Sequence, residues 1–147
     1  QTPENVVLEY DGKIVNQHPG PLNPGYPDFG GQGMYGLRVH AAVLNFAHVI
    51  NRPFKTESTI HLVNKDYDKG DLVLTREVEI LNGDTPEILA ARVLPVEHAL
   101  QIKFWKNLQE TGGEIVTFQR PQRLILPEEY VILEEAKKKA IEDYPKG

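Results

Sequence analysis

The sequence predicts an α+β fold in which a curved antiparallel sheet wraps round one central helix, with an extra helix at the C-terminus. Residues 20–33 hold five glycines and three prolines, a density that rules out regular structure there. Residues 37–50 contain neither, and the chain beyond them alternates apolar and polar residues in short runs bounded by turn residues. One buried helix followed by several strands gives the α+β class.

The central helix is predicted over residues 37–50. Three alanines favour a helical backbone. The apolar side chains occupy more than one face, which is typical of a helix buried nearly all round. They are Leu37, Val39, Val43, Leu44, Phe46, Val49 and Ile50. The helix ends before Pro53, because the residue preceding a proline avoids the helical region. A continuous apolar run also fits a strand, so periodicity alone leaves that alternative open.

Strands are predicted on both sides of this helix. Asp11-Gly12 separates two β-prone runs, 6–10 and 13–16, and an Asp-Gly pair in that position indicates a hairpin. Further runs, four or five of which would form the sheet, lie at 58–64, 72–81, 88–93, 99–108, 114–118 and 124–126. Pro95 ends the run 88–93, because proline cannot donate to a sheet ladder.

The predicted strand 99–108 has a consequence for assembly. Alternation directs Leu100, Ile102 and Phe104 inward and Trp105 outward. The strand has neither proline nor clustered lysine to protect a free edge. We therefore expect at least a dimer.

Turns and a terminal helix complete the chain. Residues 67–71, 82–84 and 111–113 have the composition of turns. Pro127 suits the first turn of a helix, and the two glutamates after it suit the positive end of the helix dipole. Residues 1–147 are expected to form one domain, with 127–147 as its terminal helix and tail.

Composition narrows the functional classes. The chain has 147 residues and a net charge of −5, whereas a nucleic-acid surface needs a basic patch. No apolar stretch approaches the 18 or so residues that a membrane helix requires. Cysteine is absent, which favours a reducing compartment, and no signal-peptide pattern is present. We expect a cytoplasmic protein that binds neither nucleic acid nor a membrane.

Three stretches resemble one known family. Residues 20–28 (GPLNPGYPD) are similar to the G-D-x-N-P-x-H-x-D loop of the MaoC-like hydratases, and Phe29-Gly30-Gly31 is similar to the segment that leads into that family's central helix. Residues 67–74 (YDKGDLVL) and 107–116 (NLQETGGEIV) resemble its strand entry and its N-Q-x-G turn. The resemblance implies the hotdog fold.

The resemblance also implies a ligand, a reaction and a partner. MaoC-like proteins act on acyl thioesters of the acyl-CoA type as hydratases or dehydratases, which are lyases, without a cofactor. The family's catalytic Asp and His fall on Pro21 and Tyr26 here, and neither is an effective base at neutral pH. The chain is therefore expected to have a rearranged or non-catalytic site. It is expected to form a homo-oligomer, or a hetero-oligomer with a related hotdog subunit.

Four residues are candidates for catalysis in a rearranged site: His18, Tyr26, Asp28 and His40. His18 precedes the loop and is placed to replace the missing base. His40 lies eight residues before His48, roughly on one helical face, where a hydrogen-bonded core histidine is the simpler interpretation. Asp28 has the alternative role of a turn residue. A His-x₃-His spacing is absent, so no metal site is expected.

Ligand binding is assigned to Gly30, Gly31, Gly33 and Arg38. Amides at a helix start carry partial positive charge, and glycines let a ligand approach the backbone. The alternative role for these glycines is a tight corner between loop and helix. Two other functions stay open: an Ig-like β-sandwich that binds protein or glycan without catalysis, and a ligand-binding hotdog with a regulatory role. The sandwich requires a strand at 37–50.

Overall fold

The computed structural model of the chain describes residues 7–10, 13–23, 26–63 and 71–147, and side chains from residue 15 onward. These ranges contain four strands and three α-helices. In chain order the elements are β1 (Val7–Tyr10), β2 (Lys13–His18), α1 (Leu37–Val49), β3 (Thr56–Leu62), β4 (Leu72–Val78), α2 (Pro86–Glu110) and α3 (Tyr130–Asp143), the last preceded by a 3₁₀ turn at Pro127–Glu129.

The strands form one sheet in the order β1-β2-β3-β4, and each neighbouring pair is antiparallel. The predicted N-terminal hairpin is confirmed by the pairing of β1 with β2, although its Asp11-Gly12 turn lies outside the described residues. The strands predicted at 58–64 and 72–81 are confirmed with shifted ends. The predicted turn 67–71 falls outside the described residues except for Asp71.

Helix α1 confirms the prediction for residues 37–50. It begins at Leu37, ends at Val49, and buries Val39, Val43, Leu44 and Phe46. Its principal neighbours are α3 and α2. Because helices pack on more than one of its sides, an apolar surface nearly all round is what its position requires.

Helix α2 overturns two strand predictions. Residues 86–110 form one 25-residue helix, so the strands at 88–93 and 99–108 are wrong. The Thr85 hydroxyl caps the helix by accepting a hydrogen bond from the Ile88 amide at 3.2 Å. Its buried apolar residues recur every four positions, apart from one gap of seven that holds the buried Glu97. They are Leu89, Val93, Leu100, Phe104 and Leu108.

The hotdog arrangement is also wrong. The sheet packs against α2, while α1 lies against α3 and α2 and is not enclosed by strands. Residues 114–118 and 124–126 form no strand; their one ladder contact is an isolated bridge between Leu72 and Phe118. The β-sandwich alternative fails too, because residues 37–49 are helical.

Two apolar clusters hold these elements together. One surrounds α1 and includes Phe29, Phe46, Leu89 and Leu133. The other lies between the sheet and the C-terminal half of α2, where Ile60 meets Leu100 and Phe104. The predicted terminal helix is confirmed as α3. Across the described ranges, the helices are all too short or too polar to cross a membrane.

Candidate functional site

Four polar side chains form a row on one face of the sheet. The register of β2 and β3 places Asn16 opposite His61 and His18 opposite Thr59. Alternate residues of a strand share a face and paired residues lie side by side. These four residues, called the polar row below, therefore project from the same side. Gln17, on the other face, donates to the Glu97 carbonyl of α2 at 2.9 Å.

His18 is fixed within this row by the loop that follows it. The residue is 4% exposed, and its Nε2 lies 3.1 Å from the Phe29 carbonyl oxygen. A carbonyl only accepts, so Nε2 donates and, in the neutral form of the ring, carries the single ring proton. The lone pair of that tautomer is on Nδ1.

His40 is the second buried histidine at this end of the sheet. Burial, and to a smaller extent the neighbouring His18, lowers the pKa of His40 to about 4. His40 is therefore neutral at physiological pH. Its Nδ1 is buried with no hydrogen-bond partner among the described residues. The structure thus brings together two of the four predicted catalytic residues.

A cavity of about 220 Å³ opens beside His40, between the start of α1 and the first half of α2. Its walls are mostly apolar, with the His40 ring and one buried carboxylate as the titratable groups. The lining residues are Pro19, Gly36, Leu37, His40, Ala90, Ala91, Leu94 and Glu97. An apolar pocket with few convergent polar groups is the usual form of a small-molecule site.

The other two predicted catalytic residues face the C-terminal segment. The exposed ring of Tyr26 packs under the guanidinium of Arg123, 3.8 Å from the ring centroid. Asp28 is 2% exposed and has a φ of 47°. Burial raises the pKa of Asp28 to about 7, against the opposing effect of Arg120, Arg123 and Lys137. Asp28 Oδ1 has no hydrogen-bond partner among the described residues.

The predicted ligand-binding residues form the corner that leads into α1. Gly31 and Gly33 have φ values of 97° and 83°, which side-chain-bearing residues rarely adopt. The Gly30 amide donates to the Pro27 carbonyl at 2.7 Å. The Arg38 guanidinium donates to the carbonyls of Gly33, Tyr144 and Pro145, at 2.7–3.0 Å. These contacts favour the structural alternative for the corner.

Sequence reasoning missed three members of the polar row: Asn16, Thr59 and His61. A signal for them was present. In both Asn16-Gln17-His18 and Thr59-Ile60-His61, hydrogen-bonding residues stand two apart in β-prone runs, so each pair lies on one strand face. Pairing the two strands would have put all four side chains together.

Comparison with known proteins gives the family context. A model of the formyl transferase family matches residues 2–104. The chloroplastic phosphoribosylglycinamide formyltransferase of Arabidopsis thaliana is 41% identical over 101 residues, covering 69% of this chain and 32% of that protein. The phosphoribosylglycinamide formyltransferase of Escherichia coli (strain K12) is 31% identical over 94 residues, covering 64% of this chain and 38% of that protein.

The chain is also similar to a solved structure of an enzyme with the same name as these relatives. The phosphoribosylglycinamide formyltransferase from Streptococcus pneumoniae TIGR4 superposes with a TM-score of 0.50 at 28% identity, covering 68% of this chain and 48% of that one. The chain thus spans about a third of the two curated relatives and about half of the solved enzyme. The family match includes the whole polar row and His40, whereas Arg120 and Arg123 lie beyond it.

These comparisons overturn the MaoC-like assignment. The acyl-thioester ligand, the hydratase or dehydratase activity and the related hotdog partner are all wrong. The resemblance rested on three short stretches with turn-forming residues, such as the glycine, proline and asparagine of the loop 20–28, and many unrelated loops share these residue types. The dimer argument fails separately, because the supposed edge strand at 99–104 is part of α2.

Proposed function

The chain belongs to the formyl transferase family, and on that premise we propose that it forms part of a site that transfers a formyl group to the amine of phosphoribosylglycinamide. The donor in this proposal is formyltetrahydrofolate. The observation that carries the proposal is that the family match spans both the polar row, which includes His18, and the cavity beside His40.

The chemistry of the transfer sets what the site must supply. The acceptor nitrogen forms a bond to the formyl carbon, and the bond between that carbon and the donor nitrogen breaks. One proton leaves the attacking amine, and one reaches the departing nitrogen. Negative charge develops on the formyl oxygen in between, so the site needs a proton carrier and a hydrogen-bond donor.

We assign the proton carrier to His18. Imidazole is the side chain whose ordinary pKa lies closest to neutral pH, which suits it to both steps of the proton movement. The hydrogen bond from Nε2 to the Phe29 carbonyl fixes the tautomer and the ring orientation. The imidazole of His18 then takes the proton from the acceptor amine.

The hydrogen-bond donor is assigned to Asn16. Its Oδ1 accepts from the Gln17 amide at 3.0 Å, which orients the side-chain amide. The NH₂ group of an oriented amide is a suitable donor to a developing oxyanion. Asn16 and His18 stand two apart on β2 and so project from the same face.

The cavity beside His40 is assigned to the acceptor. Neutral His40 offers a hydrogen-bonding nitrogen, and Glu97 offers a carboxylate that suits the hydroxyl groups of a ribose. At about 220 Å³ the cavity takes only part of such a molecule. The chain spans about a third of the length of its curated relatives, which is consistent with an acceptor site that needs additional protein surface to enclose the rest of the molecule.

The proposal is tested by assaying the purified protein that contains this chain. We expect incubation with formyltetrahydrofolate and phosphoribosylglycinamide to give the formylated acceptor, detected by mass spectrometry as a gain of about 28 mass units, the difference between a formyl group and the hydrogen that it replaces. Thermal-shift titration with each substrate separates binding from transfer. Folded protein that shows neither product nor a shift with either substrate would contradict the proposal.

The cytoplasm stays our proposed compartment, and the plant relative named as chloroplastic makes the organelle the alternative to test. Cell fractionation with an antibody against the chain distinguishes the two. Recovery in an organelle fraction would contradict the cytoplasmic assignment.

A further inference from the structure

A buried ion pair lies next to the polar row and outside the chemistry described above. Glu57 on β3 is two residues before Thr59, so it projects from the same sheet face. Its carboxylate pairs with the guanidinium of Arg120, and the two side chains are 4% and 9% exposed. Arg120 lies in the segment beyond the family match, so the pair joins the matched region to the C-terminal part of the chain.

The pair is bound to the loop that follows β2 through hydrogen bonds to backbone carbonyls of that loop. Arg120 Nε and Nη2 both donate to the Leu22 carbonyl, at 3.1 and 2.9 Å. Its Nη1 donates to Glu57 Oε2 at 3.3 Å. The Thr59 hydroxyl donates to the Gly20 carbonyl at 3.0 Å and lies 3.4 Å from Glu57 Oε1. Glu57 therefore lies against both side chains that grip the loop carbonyls.

A chain of hydrogen bonds connects these loop contacts to the imidazole of His18. The Phe29 amide donates to the Pro21 carbonyl at 3.1 Å, which ties the far side of the loop to the gripped residues. The Phe29 carbonyl is the group that accepts from His18 Nε2. A Cβ at Gly20 would lie 2.5 Å from Val39 Cγ1, so the loop also packs tightly on α1.

Stability alone is a weak reason for such a pair. Removing two charges from water costs free energy, and apolar residues of similar volume often replace buried ion pairs without loss. A planar guanidinium does something that an apolar residue does not, because its fixed donors meet a carboxylate and a backbone carbonyl at once.

We propose that Glu57 and Arg120 are positioning residues, which hold the loop so that the Phe29 carbonyl fixes the tautomer and orientation of His18. The link to activity rests on the proposed function of His18, whereas the effect on the imidazole does not. The pair touches no reacting atom and acts through the loop backbone.

Nitrogen NMR of the imidazole tests the proposal without substrate. In the wild type, long-range ¹H–¹⁵N correlations should give His18 as the Nε2–H tautomer. We expect Arg120→Leu to yield a mixture of tautomers, and Arg120→Lys to give an intermediate result, since one ammonium nitrogen replaces three donor nitrogens held in a fixed plane. Glu57→Gln keeps the volume and is a second variant in case Arg120→Leu does not fold.

Arg52→Leu is the matched control. Arg52 forms a two-pronged pair with Glu129 and also donates to the Leu124 carbonyl, but has no hydrogen bond to residues 20–29 among those described. Both arginine variants should lower the melting temperature, and only the Arg120 variant should change the His18 signals. Unchanged His18 signals in folded Arg120→Leu and Glu57→Gln would overturn the proposal and leave the pair a structural contact.

Transfer kinetics separate this inference from the proposed function. If His18 carries the proton, Arg120→Leu should lower kcat by about tenfold to a hundredfold with little change in KM, because a small displacement of a catalytic group has effects of that size. A wild type without transfer activity would defeat the proposed function, and the NMR result would still decide the positioning role. A loss confined to KM would contradict positioning of His18.

Discussion

At the scale of single residues, burial shifts the pKa values of two titratable groups in opposite directions for one reason. The interior disfavours the charged form of any group, so the pKa of the Asp28 carboxyl rises to about 7 and that of the His40 imidazole falls to about 4. Both side chains are therefore largely neutral in the folded protein near pH 6. Their contributions to the pH dependence of stability oppose each other between about pH 4 and 6.5.

Asp28→Asn should stabilise the protein at alkaline pH. The folded pKa of Asp28 is raised above its ordinary value of 3.8, so its contribution to stability is complete below that value and is lost as the pH rises through about 7. Asparagine stays neutral and tolerates the φ of 47°. Urea unfolding should show a gain that approaches about 4 kcal/mol at pH 8 as an upper limit and vanishes near pH 4. A gain that is independent of pH would contradict this.

His40 should resist protonation. Its folded pKa is lowered, so its contribution to stability is complete above the ordinary value of 6.5 and is lost as the pH falls through about 4. NMR titration of its ring protons should show no midpoint above about pH 5. His40→Gln, which cannot ionise, should lose less stability than the wild type between pH 6.5 and 4. A His40 midpoint near 6.5 would contradict the burial argument.

At the scale of elements, α1 was predictable from the sequence and α2 was not. In α1 the apolar residues occupy more than one face and glycine and proline are absent, which favoured a helix, although a continuous apolar run also fitted a strand. In α2, Pro95 was interpreted as a strand end, and Leu100, Ile102 and Phe104 were interpreted as alternation, although Ile102 is 58% exposed. The three-to-four spacing and the Thr85-Pro86 start were the signals that favoured a helix.

Leu44→Ala should destabilise the protein by about 2–5 kcal/mol through lost transfer free energy and a cavity. Leu44 is 3% exposed in the cluster round α1. Val49→Ala on the same helix is the control, because Val49 is 64% exposed and its truncation should be nearly neutral. Chemical denaturation measures both. Equal losses in the two variants would contradict the packing described for α1.

Pro95→Ala should stabilise α2. Proline inside a helix removes one backbone hydrogen bond and clashes with the preceding turn, at a cost of about 3 kcal/mol. Pro95 is exposed, so its replacement leaves no cavity. We expect the free energy of unfolding, measured by thermal denaturation, to rise by about 1–3 kcal/mol. The gain can fall short of the full cost because the helix has adapted to its proline. A loss of stability would indicate that the proline sets a bend that α2 needs for packing on the sheet.

At the scale of the whole molecule, the candidate site lies where the sheet, the loop after β2 and α1 meet. The sequence pointed to His18 and His40, because histidines flank the glycine-rich loop. It did not reveal the polar row, since that set exists only once β2 and β3 pair in register. The ion pair of Glu57 with Arg120 joins residues 63 positions apart, which no local pattern indicates.

The central claim is that His18 carries the proton in formyl transfer, and the rate of transfer by His18→Gln tests it most directly. His48→Gln, an exposed position on α1, is the matched control. We expect kcat to fall about a hundredfold or more for His18→Gln, with folding intact by circular dichroism, and to be unchanged for His48→Gln. A folded His18→Gln variant that transfers the formyl group at the wild-type rate would contradict the account.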